Sequence, residues 1–286
     1  MNSDFFIVGL GQIGGSLALA LKEKKIARKV YGLDIRYRRE YSNLLDGYVS
    51  ELEEGVKKAD FIVLCTPVDE IKKQVEVIGP LMKGSQILFD TGSTKKEIVK
   101  KMEKFPDRLM VGGHPMAGTV KEGKNSWNAE LFSGKPFFLC EPQTGSKKKS
   151  LKKVREVIEK LGAIPVKVRA DFHDRAVALT SQLPYFLSLV LFSLYLKKRT
   201  QSKDIDDFVA TGFLGATRLC LTPKAMGQSM LMSNLENMIG LARDFIKEFE
   251  DWQDLLKKGR LEERLSFIRK EADKRRKLYE KAFPQN

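Results

Sequence analysis

Short apolar runs alternate with amphipathic segments along the first 170 residues of the chain. The apolar runs are typical of buried strands, and apolar residues recur at helical spacing between several of them. The predicted strands are Phe5–Gly9, Lys29–Asp34, Phe61–Cys65, Gln86–Asp90, Leu109–Gly112, Pro136–Cys140 and Ile164–Val168. The predicted helices are Gly14–Lys24, Glu70–Met82, Lys95–Phe105 and Lys147–Leu161. This alternation predicts a parallel sheet with both faces covered by helices.

The pattern changes after Asp171, where long helical segments follow and no further strand is predicted. Apolar residues recur there every three or four positions, as on one face of a helix. Two such series are Leu261, Leu265, Ile268, Ala272 and Phe245, Phe249, Trp252. We therefore predict an α/β domain over residues 1–170 and an all-α domain over residues 171–286.

One segment of the helical part, Ala176–Leu196, carries no formal charge over 21 residues. That is about the length of a membrane span. The segment also contains Thr180, Ser181, Gln182, Pro184, Ser188 and Ser193. We therefore predict a helix buried in a core or a subunit interface and no membrane association. The first residues show no basic region or cleavage site, so no targeting segment is expected.

Charge and cysteine content narrow the class of partner. The 286 residues include 51 Lys and Arg against 37 Asp and Glu, a formal charge of +14. The basic residues are spread over the whole chain and form no recognised nucleic-acid module, so we expect a small anionic substrate and no nucleic acid. Cys65, Cys140 and Cys220 have neither disulfide nor zinc spacing, and only two histidines are present. We therefore expect no metal site and a reducing, cytoplasmic location.

A glycine motif follows the first predicted strand and opens the first helix. It reads Gly9, Leu10, Gly11, Gln12, Ile13, Gly14, and Asp34 closes the next strand 20 residues after Gly14. Such glycines permit a tight turn and a close approach of a pyrophosphate to a helix N-terminus. This context predicts a Rossmann-type domain for NAD, since Asp34 would accept hydrogen bonds from ribose hydroxyls and repel a 2′-phosphate. NADP stays open because Arg36, Arg38 and Arg39 follow.

Polar loops follow the third and fourth predicted strands. Thr66 and Pro67 stand at the end of one, and Thr91, Gly92 and Ser93 at the end of the other. Ligands bind beyond the carboxyl ends of strands in open α/β sheets, so both loops are predicted to line the cofactor cleft. Ser93 also stands where it could cap the helix that follows.

A single histidine marks the predicted substrate site. His114 lies in Gly112–Thr119, at the end of a predicted strand, flanked by glycine and proline. An imidazole exposed there on a rigid turn suits proton removal at neutral pH.

Several motifs together resemble the prephenate and arogenate dehydrogenases of tyrosine biosynthesis. They are GLGQIGGS at Gly9–Ser16, DTGSTK at Asp90–Lys95, GGHPMAGT at Gly112–Thr119, HDRAVALTSQLP at His173–Pro184 and GFLGATR at Gly212–Arg218. Their order and spacing follow the family over most of the chain. The resemblance implies hydride transfer from the ring carbon bearing the hydroxyl to the nicotinamide, with loss of CO2. It also implies a homodimer joined through the helical domain.

The resemblance also assigns roles to individual residues. His114 would hydrogen-bond the ring hydroxyl and help to remove its proton, with Ser93 near the same hydroxyl and the nicotinamide. Arg218 would bind a substrate carboxylate, and Thr119 would lie at the substrate edge. His173, in the family's HD pair, is predicted to form a structural hydrogen bond, with direct substrate contact as the alternative.

This chain departs from the family pattern at several positions near the substrate. Gln182 and Tyr185 replace two histidines, Leu214 and Gly215 replace a basic residue and Asp, and Val120 replaces Glu. Gly227 lies where a Trp is common. Gln182 is still predicted to contact the substrate, and its presence favours arogenate over prephenate as that substrate.

Three alternatives remain open at this stage. A related dehydrogenase could act on a modified substrate such as 4-amino-4-deoxyprephenate. A two-domain enzyme of the 3-hydroxyacid dehydrogenase or imine reductase type would share the domain order. A non-catalytic sensor of nicotinamide dinucleotide would need neither His114 nor Arg218.

Overall fold

A computed structural model describes residues 2–118, 126–143 and 147–277. The chain divides into two compact units, Met1–Met238 and Ile239–Asn286. The first unit contains the sheet together with most of the helices, and the second contains only helical segments up to residue 277, where the described part of the chain ends. The boundary at Met238 separates regions that are each compact in themselves. The predicted domain boundary at residue 170 is a different one and stays a prediction.

Eight strands form one sheet in the order β3-β2-β1-β4-β5-β6-β7-β8. The strands are β1 Asp4–Val8, β2 Lys29–Leu33, β3 Gly47–Tyr48, β4 Phe61–Leu64, β5 Ile87–Asp90, β6 Leu109–Pro115, β7 Pro136–Cys140 and β8 Ile164–Lys167. All seven predicted strands are present, and the α/β fold class is confirmed. The prediction of an all-parallel sheet is wrong at one place, because β7 runs antiparallel to β6.

Both faces of the sheet are covered, as the sequence predicts. Side chains alternate between faces along a strand, so Phe5 and Ile7 lie in one core while Phe6 and Val8 lie in the other. Helices α1 Gln12–Glu23 and α6 Lys147–Lys160 cover the first face. The second is covered by α3 Leu52–Lys58, α4 Val68–Leu81 and α5 Lys96–Met102. The short helix α2 is Tyr41–Leu44.

Only helices follow β8 in the part of the chain that is described. They are α7 Ala170–Val177, α8 Leu183–Arg199, α9 Thr211–Thr217, α10 Lys224–Met232, α11 Leu235–Lys257 and α12 Glu262–Lys274. A π-helical turn, Ala178–Gln182, joins α7 to α8. Helix α10 packs on α4, and α7 packs on α5, so the first helices of this region contact the α/β part directly.

The continuous helical run Ala170–Arg199 is long and apolar enough to cross a membrane, and 33% of its most apolar window is buried. A single helix of this kind is weak evidence for a span, because core and interface helices have the same composition. Its polar residues His173, Asp174 and Gln182 are buried and hydrogen-bonded within the protein. Several of its apolar residues are exposed in the single chain, among them Leu179, Val190 and Leu194.

Candidate functional site

The glycine loop after β1 has the geometry of a tight turn. Gly9 has φ of +90°, which glycine adopts without strain, and its N–H donates to the carbonyl of Leu33 at 2.8 Å. A Cβ at Gly14 would lie 1.9 Å from the Gly9 oxygen. Around Gly11 the space is open, with no atom within 4 Å of a Cβ built there. The loop therefore leaves room for a pyrophosphate at the start of α1, beside Gln12 and Ile13.

Asp34 lies beside this loop, at the end of β2. Its Oδ2 accepts a hydrogen bond from the Leu10 N–H at 2.6 Å, and its backbone oxygen accepts one from the Tyr48 hydroxyl at 2.9 Å. The carboxylate borders a cavity of about 200 Å³ lined by Leu10, Gly11, Asp34, Arg38, Glu40, Tyr41 and Trp127. The residues present therefore fit the ribose end of a dinucleotide, with the carboxylate where ribose hydroxyls need an acceptor.

Tyr41 lines the same cavity and is buried. Burial, together with the neighbouring Asp34 carboxylate, raises the pKa of Tyr41 to about 12. The tyrosine also belongs to an aromatic cluster, with its ring centroid 6.0 Å from Trp127 and 6.2 Å from Tyr48. Sequence analysis missed this cluster, because no motif links residues so far apart in the chain.

The two predicted loops of the cofactor cleft follow β4 and β5. Thr66 Oγ1 donates to Gln74 Oε1 at 2.7 Å, and Pro67 immediately precedes α4. Ser93 lies in the loop between β5 and α5 and is partly exposed. The prediction that Ser93 caps α5 is wrong, because the helix begins at Lys96 with Lys95 in the cap position. The carboxylate of Asp174 accepts from the Lys95 and Lys96 N–H groups instead, at 2.7 and 2.9 Å.

A buried ion pair holds the ends of β5 and β6 together. Asp90 and Lys95 are both fully buried, and Lys95 Nζ donates to Asp90 Oδ2 and, at 2.6 Å, to the Gly113 oxygen. Asp90 Oδ1 accepts from the Gly113 N–H at 3.0 Å. A Cβ at Gly113 would lie only 2.3 Å from the Asp90 backbone oxygen. These contacts fix the backbone immediately before His114.

His114 is joined to two further polar residues, which come from α7. Its Nδ1 lies 2.9 Å from His173 Nε2, and His173 Nδ1 lies 2.8 Å from Asp174 Oδ1. His173 and Asp174 are buried, whereas His114 is partly exposed. Desolvation, followed by the nearby His173 and Lys95, holds the pKa of His114 well below its usual range. The imidazole is therefore neutral at neutral pH and free to accept a proton.

The histidine segment also comes close to the cofactor loop. A Cβ built at Gly118, four residues after His114, would lie 3.5 Å from Gln12 Oε1 at the start of α1. The structure therefore brings the predicted cofactor and substrate segments to one edge of the sheet. Thr119, predicted at the substrate edge, and Val120 lie outside the described residues.

Comparisons with known proteins agree with this arrangement. The family model "Prephenate dehydrogenase, nucleotide-binding domain" matches residues 17–167, and "Prephenate dehydrogenase, dimerization domain" matches residues 169–270. The chain belongs to the prephenate dehydrogenase family.

Relatives and solved structures of the family extend over most of the chain. A prephenate dehydrogenase of Lactococcus lactis is 30% identical over 260 residues, covering 86% of this chain and 69% of the relative. A cyclohexadienyl dehydrogenase of Zymomonas mobilis is 28% identical over 250 residues, covering 85% of each. The crystal structure of an A. aeolicus prephenate dehydrogenase with hydroxyphenyl propionate and NAD+ has a TM-score of 0.87 at 26% identity, covering 97% and 98%. The chain is accordingly an oxidoreductase with a nucleotide-binding domain.

Gln182, at a position where many family members carry a histidine, is buried. Its Oε1 accepts a hydrogen bond from Asn234 Nδ2 at 2.7 Å, and the same Nδ2 donates to the Asp174 carbonyl oxygen at 2.8 Å. Gln182 Nε2 has no partner among the described residues. Sequence analysis missed Asn234, since no quoted motif contains it. The role of Gln182 as a substrate contact stays a prediction.

Tyr185 and Gly227 depart from the family pattern together. A Cβ at Gly227 would lie 2.1 Å from the Tyr185 hydroxyl oxygen. The tyrosine therefore occupies the space that a side chain at position 227 would need.

Arg218 begins a short 3-10 turn, Arg218–Leu221, and is exposed. The guanidinium forms no ion pair with the described residues. An unpaired guanidinium is available for a carboxylate ligand. No group of three or more His, Cys, Asp and Glu side chains that could hold a metal occurs in the described ranges.

We predict that Lys95→Met lowers the free energy of unfolding by about 3–5 kcal/mol, because it leaves the Asp90 carboxylate buried without its counter-ion. Urea unfolding followed by circular dichroism measures the change. The matched control is Lys96→Met, since the neighbouring lysine is exposed. Equal stability of the two variants would contradict a clamping role for the buried pair.

Proposed function

We propose that the protein catalyses the nicotinamide-dependent oxidative decarboxylation of a prephenate-type cyclohexadiene acid. The relatives named prephenate dehydrogenase and cyclohexadienyl dehydrogenase support this class of substrate. The single observation that carries the proposal is the position of His114. The histidine is neutral and partly exposed, and its segment leads directly to the glycine loop of the cofactor site.

We infer that the cofactor is NAD rather than NADP. Bound at the glycine loop, the nicotinamide dinucleotide would supply the hydride acceptor. Asp34 faces the cavity where the ribose is expected, and Glu40 lines the same cavity. Two carboxylates disfavour a 2′-phosphate there, although Arg38 also lines the cavity. Gly9, Gly11, Gln12, Ile13 and Gly14 would hold the pyrophosphate, with Thr66 and Pro67 at the far side.

The protein's own residues would divide the remaining work. His114 would accept the proton of the ring hydroxyl as the hydride leaves, with Ser93 orienting the same hydroxyl. Arg218 would bind a substrate carboxylate, and the net positive charge of the chain would attract the anionic substrate. A base that stays neutral at neutral pH suits this step, because protonation before the substrate binds would block it.

The test of the proposed function is reduced-nicotinamide absorbance in a matrix of cofactors and substrates. Purified protein is mixed with NAD or NADP and with prephenate, arogenate or 4-amino-4-deoxyprephenate. We expect a rise with NAD and one of the first two substrates, and Gln182 favours arogenate. A rise with the amino compound alone would favour a modified substrate. No rise in any mixture, with NAD still bound in calorimetry, would favour a sensor.

We also propose a homodimer formed through the helical region and a cytoplasmic location. The matching family model for residues 169–270 is described as a dimerization domain. Exposed apolar side chains are numerous within that range, including Leu191, Phe208, Leu221, Met232, Phe249 and Phe267. A surface of this kind is typical of subunit interfaces. The three cysteines are free, which is compatible with a reducing compartment.

We expect light scattering at micromolar concentration to give twice the chain mass of 32.5 kDa. The physical reason is the exposed apolar surface of α8, which a second copy would cover. Leu194→Lys should shift the population towards the monomer, while Lys198→Glu, at the charged end of the same helix, serves as the control. A monomeric mass for the unaltered protein would contradict the dimer.

We predict that His114→Asn lowers kcat by about 10²–10⁴-fold, as expected for loss of a general base. NAD binding should persist and can be followed by Trp127 fluorescence in a Trp252→Phe background, because the chain has only two tryptophans. The acid limb of the unaltered enzyme's kcat/KM profile should lie below the ordinary histidine pKa of about 6.5, because kcat/KM reports the free enzyme. Unchanged turnover in the variant would remove His114 from the mechanism.

We predict that Arg218→Ala raises KM by about 10- to 100-fold, since a hydrogen bond to a charged group contributes about 1.5–3 kcal/mol. Steady-state kinetics at saturating cofactor measures this. Arg243→Ala, another exposed arginine of the helical region, is the matched control. Equal KM values for the two variants would place the carboxylate anchor elsewhere.

A further inference from the structure

Three side chains form a hydrogen-bonded series that ends at the proposed base, and the two behind that base are buried. Asp174 Oδ1 lies 2.8 Å from His173 Nδ1, and His173 Nε2 lies 2.9 Å from His114 Nδ1. Of these three residues, the proposed function uses only His114. The other two residues are buried and come from a different element, α7.

The series determines which ring nitrogens carry protons. An ionised carboxylate can only accept hydrogen bonds, so His173 Nδ1 carries a proton. A neutral imidazole has one bare nitrogen, so His173 Nε2 is an acceptor and His114 Nδ1 carries a proton. The only bare nitrogen left at the end of the series is His114 Nε2. The base therefore accepts the substrate proton at Nε2.

Further contacts to Asp174 and to the His173 ring hold this series in place. The Asp174 carboxylate also accepts the backbone N–H groups of Lys95 and Lys96, at 2.7 and 2.9 Å. Asn234 donates to the Asp174 carbonyl oxygen at 2.8 Å. The ring of Phe138 packs edge-on against His173, with centroids 5.5 Å apart and an interplanar angle of 72°. Rotation of the His173 ring would break both of its hydrogen bonds.

The buried charges favour His173 over His114 as the place for a positive charge. The Lys95 ammonium, which is buried and bonded to the Gly113 oxygen, opposes a cation on His114. The Asp174 carboxylate directly contacts His173 and favours a cation there. Asp90, the other buried carboxylate of this region, is already paired with Lys95.

We propose that His114 and His173 form a two-imidazole proton relay with Asp174 as its counter-ion. This proposal rests on the proposed function. As hydride leaves the ring carbon, the hydroxyl O–H bond breaks and its proton binds His114 Nε2. The proton on His114 Nδ1 passes to His173 Nε2, so the positive charge rests on His173 beside the Asp174 carboxylate. After CO2 leaves, the two protons move back, and the phenolate oxygen recovers one. No proton is gained or lost overall.

Histidine NMR tests the proton positions without substrate or turnover. The chain has only two histidines, so selective 15N-histidine labelling gives a spectrum of only these two rings. We expect both rings in the Nδ1–H form at neutral pH, with both Nε2 atoms bare. His173→Gln identifies the remaining ring as His114. An Nε2–H form on either ring would overturn the relay, whatever substrate the enzyme uses.

Kinetics of His173→Gln then separates a relay from simple positioning. The glutamine oxygen can accept the His114 Nδ1–H, as His173 does, but it cannot take up the proton. We expect kcat to fall about 10²-fold, at the low end for loss of a proton-transfer group, with KM and NAD affinity unchanged. A fall in kcat/KM that comes only from a raised KM, with kcat unchanged, would overturn the relay. It would favour direct contact between His173 and the substrate.

Solvent isotope measurements supply the readout that packing alone would not change. In mixtures of H2O and D2O, the unaltered enzyme should show a curved dependence of kcat on deuterium fraction, because two protons move. The variant should show a straight line, because one proton moves. The control is Ser188→Ala, a buried hydroxyl of α8 whose hydrogen-bond partners among the described residues are Tyr185 in the same helix and Cys220. A straight line for the unaltered enzyme, or equal kcat in His173→Gln, would overturn the proposal.

Discussion

The carboxylate of Asp174 is the contact on which the arrangement of the site depends. It lies in α7, yet it accepts hydrogen bonds from the backbone at the start of α5 and from the ring of His173. Helix α5 has no capping side chain of its own, and unpaired N–H groups at a buried helix start are costly. A negative charge at that end is also favoured by the helix dipole. One residue therefore connects the helical region to the sheet edge and orients the imidazole beside His114.

A second constraint acts from inside the sheet. Charged groups are tolerated in a protein core only when they are paired and hydrogen-bonded. Asp90 and Lys95 pair with each other. Lys95 also donates to the Gly113 oxygen, and Asp90 accepts from the Gly113 N–H. Glycine is needed there because the strands approach too closely for a side chain. Lys95 thus contributes to both constraints, since its side chain holds β6 and its N–H is bound by Asp174. Lys95 therefore fixes the strand that carries His114 relative to α5 and to α7, the first helix after the sheet.

Much of this protein could be predicted from local sequence. Strands β1, β4, β5 and β6 form where apolar runs bury side chains on both faces of the sheet, a requirement visible in the sequence itself. Strand β3 escaped prediction because two residues, Gly47 and Tyr48, carry no periodic signal. The antiparallel direction of β7 escaped it because the connection from Pro115 to Pro136 is long enough for a crossover, so its length does not decide the strand direction.

The sequence by itself determined the α/β class, the place of the glycine loop, Asp34 beside it, and His114 at the end of a strand. These features depend on short-range patterns, since a tight turn, a strand end and a flanking glycine are local properties of the backbone. Only the tertiary structure decided what surrounds His114. His173, Asp174 and Asn234 are 59, 60 and 120 residues away from it in the chain, and no spacing rule relates them. The pairing of Tyr185 with Gly227 and the capping of α5 by Asp174 are of the same kind, because each depends on which surfaces meet when the helices pack.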